Sequence, residues 1–239
     1  MRFRKTLVAL ATGVLVVGGT TSATAEDIAI TSGLPVVSIT PLDQCSTADF
    51  DNDRRLGPAN LPLFDAVGKM LFFYDRSGGQ PTQQFLDTWW DPSVQTPFGL
   101  GNWVYPANSG YYINPNGTPV RMVTTLAPGQ EIDRFGGTGG NFLSPEGTRY
   151  ADRSLPPSNL DSTTDPGGCD YHVYRVLKEF HVYSGAIRPW FDQPGNGRQY
   201  QLVCSLIPAS QGCDPTTDAL PVQWLLDNQY LAEVPPEDM

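Results

Sequence analysis

The sequence predicts a β-rich α+β fold: a compact mixed or antiparallel sheet with few short helices, preceded by a small aromatic N-terminal subdomain. Three observations lead there. The 239 residues include 24 Gly and 22 Pro, too many chain breakers for a helical bundle or coiled coil. With 40% hydrophobic and 11% aromatic residues, the chain can bury enough apolar area to offset the ordering entropy of one core. Runs of β-branched and aromatic residues recur between turn residues, above all at 171–178 and 180–183.

Taken in order, the chain opens with a targeting pattern. Arg2, Arg4 and Lys5 precede an apolar run from Leu7 to Val17, and Ala23-Thr24-Ala25 supplies small residues before Glu26. This reads as a signal peptide over 1–25, cleaved after Ala25, because the apolar run is shorter than the ~20 residues that span a bilayer. The expected product is exported and free of the membrane. Its loss removes three cations and takes the formal net charge from -10 to -13. So acidic a chain is repelled by phosphate backbones and anionic lipid, which argues against nucleic acid and membrane as partners.

Residues 26–118 form an N-terminal extension or subdomain, and 119–239 form a second unit. Within the first, Leu71-Phe72-Phe73-Tyr74, the run from Phe85 to Trp90 and Trp103-Val104-Tyr105-Pro106 read as one short helix among small strands. In the second, 120–126 is strand-like, and Pro128-Gly129 turns the chain into a strand from Ile132. The runs 171–178 and 180–183 are successive strands joined by a tight bend, 199–203 is another strand, and 222–231 has apolar residues near helical spacing. The segment 161–168 is a polar turn insertion, and Gly136–Gly140 a flexible loop that lacks dinucleotide-fingerprint spacing.

Cys45, Cys169, Cys204 and Cys213 all follow the signal peptide, and an even count in an oxidising compartment argues for two disulfides. Three pairings are open. The short loop containing Pro208 and Gly212 favours Cys204 with Cys213, leaving Cys45 to join Cys169. No Cys-x-x-Cys, phosphate loop, His-Glu-x-x-His or Gly-x-Ser-x-Gly text occurs, which disfavours zinc and serine hydrolysis. Asp49–Asp53 starts like a calcium loop, but Arg54 and Asn60 stand where Gly and Glu belong, so a solvated acidic turn is the better reading.

What remains is a run of arginine, aromatic and amide residues in the second unit. Gly-Gln-Glu-Ile-Asp-Arg-Phe-Gly at 129–136 is followed by Asn-Phe-Leu-Ser-Pro at 141–145, Arg-Ser-Leu-Pro-Pro at 153–157, Tyr-His-Val-Tyr-Arg-Val at 171–176 and the glycine-rich text at 185–200. Over roughly 119–234 this succession resembles the tuberculosis necrotizing toxin (TNT) domain family of NAD glycohydrolases, with secreted relatives in fungi and bacteria. One departure is Gln229, where the family text Asp-Asn-Gly-Tyr-Leu has glycine; it concerns a helix cap.

The resemblance implies hydrolysis of the nicotinamide–ribose bond of NAD, and of NADP, by a toxin or NAD-depleting factor. It implies Arg134 as a diphosphate clamp and Arg153 as a second phosphate or ribose ligand. Gln199 would be the amide that orients water or a ribose hydroxyl, with Gln193 and Gln201 as rivals, and Phe142 the aromatic beside nicotinamide. His172 matches a histidine used by the toxin, whereas His181 has no match. Phe135 and Trp190 either stack on a base or fill the core. The nicotinamide ring is cationic in NAD and leaves as a neutral molecule, so no strong general acid has to protonate it; the resemblance implies NAD as substrate and no required cofactor. Structural calcium, a homodimer and an immunity protein are further properties that the resemblance brings into view. Two other readings compete. An ADP-ribosyltransferase needs an acid such as Glu-x-Glu, which is missing; an inactive secreted binding module has no need of Arg134, Arg153 and Gln199 together.

Overall fold

A computed structural model of the protein describes residues 44–97, 99–162, 167–207, 213–214 and 216–235. The signal peptide and the centre of the 161–168 insertion lie outside these residues. The described residues belong to one compact unit spanning 39–239. None of its helices is long and apolar enough to cross a membrane.

Two helices come first, one more than the sequence predicts. Helix α1 (Ala66–Leu71) starts where the Asp65 carboxylate accepts a hydrogen bond from the Gly68 amide at 2.6 Å, satisfying one of the free N–H groups of the first turn. Helix α2 (Thr82–Trp89) follows Pro81 and turns Phe85 and Leu86 inward. It runs directly into a two-stranded antiparallel ribbon of β1 (Trp90–Thr96) and β2 (Gly99–Trp103). Phe85, Leu86 and Trp103 pack with Leu56 and with Phe191 from far along the chain, so this aromatic cluster draws on both sides of residue 118.

The main sheet has seven strands: β3 (Met122–Leu126), β4 (Glu131–Phe135), β5 (Phe142–Pro145), β6 (Tyr171–Val176), β7 (Phe180–Ala186), β8 (Arg198–Gln201) and β9 (Leu231–Glu233). Their order is β3-β7-β8-β5-β4-β6-β9, and every pairing is antiparallel. The expected turn between β3 and β4 is present, with Gly129 at φ 88°, a left-handed backbone that suits glycine. Strands β6 and β7 do follow one another, yet they do not pair; β8, β5 and β4 lie between them.

Period-2 alternation divides the sheet's side chains between two faces. On one, Ile132, Leu143, Tyr174, Val182 and Tyr200 pack with Val222 and Leu225 of helix α3 (Val222–Asp227). On the other, Phe135, Tyr171 and Val173 meet Tyr150, Leu160 and α1. Both favoured disulfides form, Cys204 with Cys213 and Cys45 with Cys169, the latter closing a sequence separation of 124 residues. Closure of so long a loop chiefly restricts the unfolded chain. Gln229 adopts a left-handed φ of 58° at the end of α3, so glycine's usual place in the family text has a backbone reason.

Candidate functional site

A cavity of about 450 Å³ opens beside the ends of β4, β5 and β8. Arg134, Phe135, Phe142, Arg153 and Gln199 all contribute to its wall, together with Gln201. His172 and Trp190 do not. The far wall comes from the N-terminal half of the chain, through Tyr105, Ser109 and Gly110. Sequence reasoning missed these three, because a tyrosine and a Ser-Gly turn carry no chemical signature until the fold brings them to Gln199.

Arg134 stands next to Asp133 in sequence, but strand alternation turns their side chains to opposite faces. Its guanidinium donates from Nε to the carbonyls of Gly136 and Gly137, both at 2.9 Å, and from Nη1 to the Phe142 carbonyl at 2.8 Å. Among the described residues no carboxylate lies within ion-pair distance of it. Burial pulls its pKa below the ordinary arginine value, with Tyr174 and Asp170 opposing the shift. The glycine run, expected to be a flexible loop, instead holds this cation through its carbonyls. Gly140 lies flat against the guanidinium, in space that a Cβ would take from Nη2.

Arg153 is placed differently. Its side chain is 3% exposed, and Nη1 and Nη2 grip both oxygens of fully buried Asp133 at 2.6 and 2.7 Å. Nε and Nη2 also donate to the Thr148 carbonyl. Asp133 accepts further hydrogen bonds from Tyr171 Oη and the Gly147 amide, so the pair is satisfied all round. The expected role as a second phosphate ligand therefore gives way, in this geometry, to holding Asp133 and the loop at 148 beside the cavity.

Gln199 is 7% exposed, and its amide nitrogen donates to the Ser109 carbonyl at 2.7 Å. Of its rivals, Gln201 lines the same cavity, whereas Gln193 ties the Asp75 carbonyl to the loop after β7 and stays outside it. Phe142 is half-buried on the wall. Phe135 is 1% exposed and packs edge-on against Tyr150, so it is a core residue whose surface merely reaches the cavity. Trp190 packs at a tilt against Trp89 and donates to the Val104 carbonyl, which places it in the aromatic cluster and outside the cavity wall.

His172 faces Arg134 directly across the β4–β6 ladder. Both ring nitrogens are occupied, Nδ1 by Glu233 at 2.6 Å and Nε2 by Asp170 at 3.3 Å. The hydrogen bond to Asp170 raises its pKa most, helped by Glu233 and opposed by burial. Two carboxylates thus stabilise an imidazolium that ties β6 to β9, an arrangement suited to structure more than to proton shuttling. His181 lies on the exposed side of β7 within 3.0 Å of Thr125. Among the described residues, His, Cys, Asp and Glu side chains come close enough to share an ion only at Cys204, Cys213 and Asp218, where both sulfurs are already in the disulfide.

Residues 125–234 match the family model described as tuberculosis necrotizing toxin. The conidial surface nicotinamide adenine dinucleotide glycohydrolase nadA of Aspergillus fumigatus is 37% identical over 171 residues, covering 69% of this chain and 71% of that protein. Among solved structures, tuberculosis necrotizing toxin complexed with its immunity factor aligns with a TM-score of 0.43 and 17% identity, over 81% of this chain and 85% of that one.

Proposed function

Because the chain belongs to the tuberculosis necrotizing toxin family, we propose that it is a secreted NAD glycohydrolase, releasing nicotinamide from NAD to leave ADP-ribose, and from NADP to leave the 2′-phosphate of ADP-ribose. One observation supports this reading above the others: a single cavity joins Arg134, a cation with no carboxylate partner among the described residues, to the buried amide of Gln199. A relative 37% identical to the chain is itself an NAD glycohydrolase.

The reaction suits these residues. Nicotinamide departs as a neutral base from a cationic ring, so no strong acid has to protonate it. The protein has to hold the diphosphate, shield the oxocarbenium-like ribose and aim one water. Arg134 Nη2 provides a charge-assisted donor for a phosphate oxygen. Phe142 offers an aromatic surface to nicotinamide, and Gln199 orients the water or a ribose hydroxyl. Sugar hydrolases use two carboxyl groups instead. Here the carboxylate that lines the cavity, Asp133, is held by Arg153. That also weighs against transfer of ADP-ribose to a protein, which needs a free acid to activate the acceptor.

Incubation of the purified protein with etheno-NAD and no added metal tests the reading. Fluorescence should rise with wild type and fail to rise with a folded Gln199→Ala variant. No signal from wild type at micromolar concentration contradicts it.

A further inference from the structure

Gln199 donates through Nε2 to the Ser109 carbonyl, a group that can only accept, so the amide cannot be flipped without setting oxygen against oxygen. The Tyr111 side chain also hydrogen-bonds this amide, and Gln199 lines the cavity. The carbonyl that fixes this orientation sits in a left-handed turn. Asn108, Ser109 and Gly110 all have left-handed backbones, with φ of 55°, 56° and 76°. Two consecutive non-glycine residues in that region cost on the order of 1–3 kcal/mol each and persist only where surrounding contacts hold them.

Those contacts form a chain leading away from the cavity. Ser109 Oγ accepts from Gln201 Nε2 at 3.1 Å, and Gln201 Oε1 accepts from Arg121 Nη1 at 2.6 Å. Arg121 is not part of the cavity wall. Its guanidinium lies 3.7 Å from the ring centre of Tyr183 and 5.5 Å from that of Tyr111, which restricts its motion. Gln201 pairs with Tyr183 in the β7–β8 ladder, so the sheet holds the middle link of the chain.

We propose that Arg121, acting through Gln201 and Ser109, is a positioning residue that holds the strained turn in place and presents Gln199 to the substrate as a hydrogen-bond acceptor. The inference rests on the glycohydrolase reading and gives Gln199 a polarity: its Oε1 receives a hydrogen bond from the attacking water or a ribose hydroxyl. Misplacing a catalytic group by about 1 Å can cost on the order of 100-fold in rate, so a loosened turn should be visible in turnover.

Steady-state kinetics on etheno-NAD with wild type, Arg121→Met, Arg121→Lys and Gln201→Glu test the proposal. Arg121→Met should lower kcat by roughly tenfold or more, with KM within about twofold of wild type. Arg121→Lys should recover most of the loss, because it keeps a charged donor. Gln201→Glu keeps the acceptor for Arg121 but loses the donor to Ser109; it should fold and still lose kcat, so the idea stays testable if Arg121→Met does not fold. Wild-type kcat in folded Arg121→Met or in Gln201→Glu, or an effect confined to KM, overturns the positioning role. A wild type that leaves NAD intact overturns the glycohydrolase reading itself.

Discussion

Two arginines border the same cavity, and their surroundings are opposite. Arg153 is locked on a buried aspartate, with its other donors on a backbone carbonyl. Among the described residues, Arg134 hydrogen-bonds carbonyls of its own loop and of Phe142, which orient the guanidinium without neutralising it. A neutralised arginine is part of the scaffold. One that is desolvated and held by dipoles retains its charge for an incoming anion. The contrast teaches that arginine count says little about anion binding; what counts is which guanidinium already has a carboxylate.

The sharpest way to break the comparison is to remove the locked partner. Arg153→Met leaves Asp133 buried without its counter-ion, and removing one member of a buried pair typically costs about 3–5 kcal/mol. The variant should melt far below wild type or fail to fold, as thermal unfolding followed by circular dichroism will show. A melting temperature near that of wild type would mean that Asp133 does not depend on Arg153.

A smaller effect extends the comparison to an anion. The Asp161 carboxyl is pushed up to about 7, first by burial and then by repulsion from Asp49, and its buried Oδ2 has no hydrogen-bond partner among the described residues. The folded state therefore keeps a proton that the unfolded chain, with an ordinary carboxyl near 3.9, has already lost. The stability this group contributes is present below about pH 4 and falls as pH rises towards 7. Asp161→Asn cannot ionise, so it should raise the melting temperature at pH 8 and change it little at pH 4. Equal shifts at both pH values would remove Asp161 as the cause.

Much of this arrangement was legible in the sequence. Alternating β-formers placed β3, β4, β6, β7 and β8, and the short Cys204–Cys213 loop favoured the pairing that forms. Arg134, Phe142 and Gln199, singled out by the family resemblance, line one cavity. Sheet order was not legible: β6 and β7 look like a hairpin in one dimension, while their pairing depends on strands arriving from elsewhere in the chain. The fates of Arg153 and His172 were hidden for a related reason. Asp133 lies 20 residues from Arg153 and Glu233 lies 61 from His172, so neither partner shows as a local pattern. Ser109 was hidden as well, because it acts through its backbone, which no residue type announces.

The central claim is that Arg134 is the cation reserved for the diphosphate. Titration of ADP-ribose into Arg134→Met by calorimetry, beside wild type, tests it most directly. Binding should weaken at least roughly tenfold, in line with loss of a charge-assisted hydrogen bond, in a variant that circular dichroism shows to be folded. Unchanged affinity in the folded variant would contradict it.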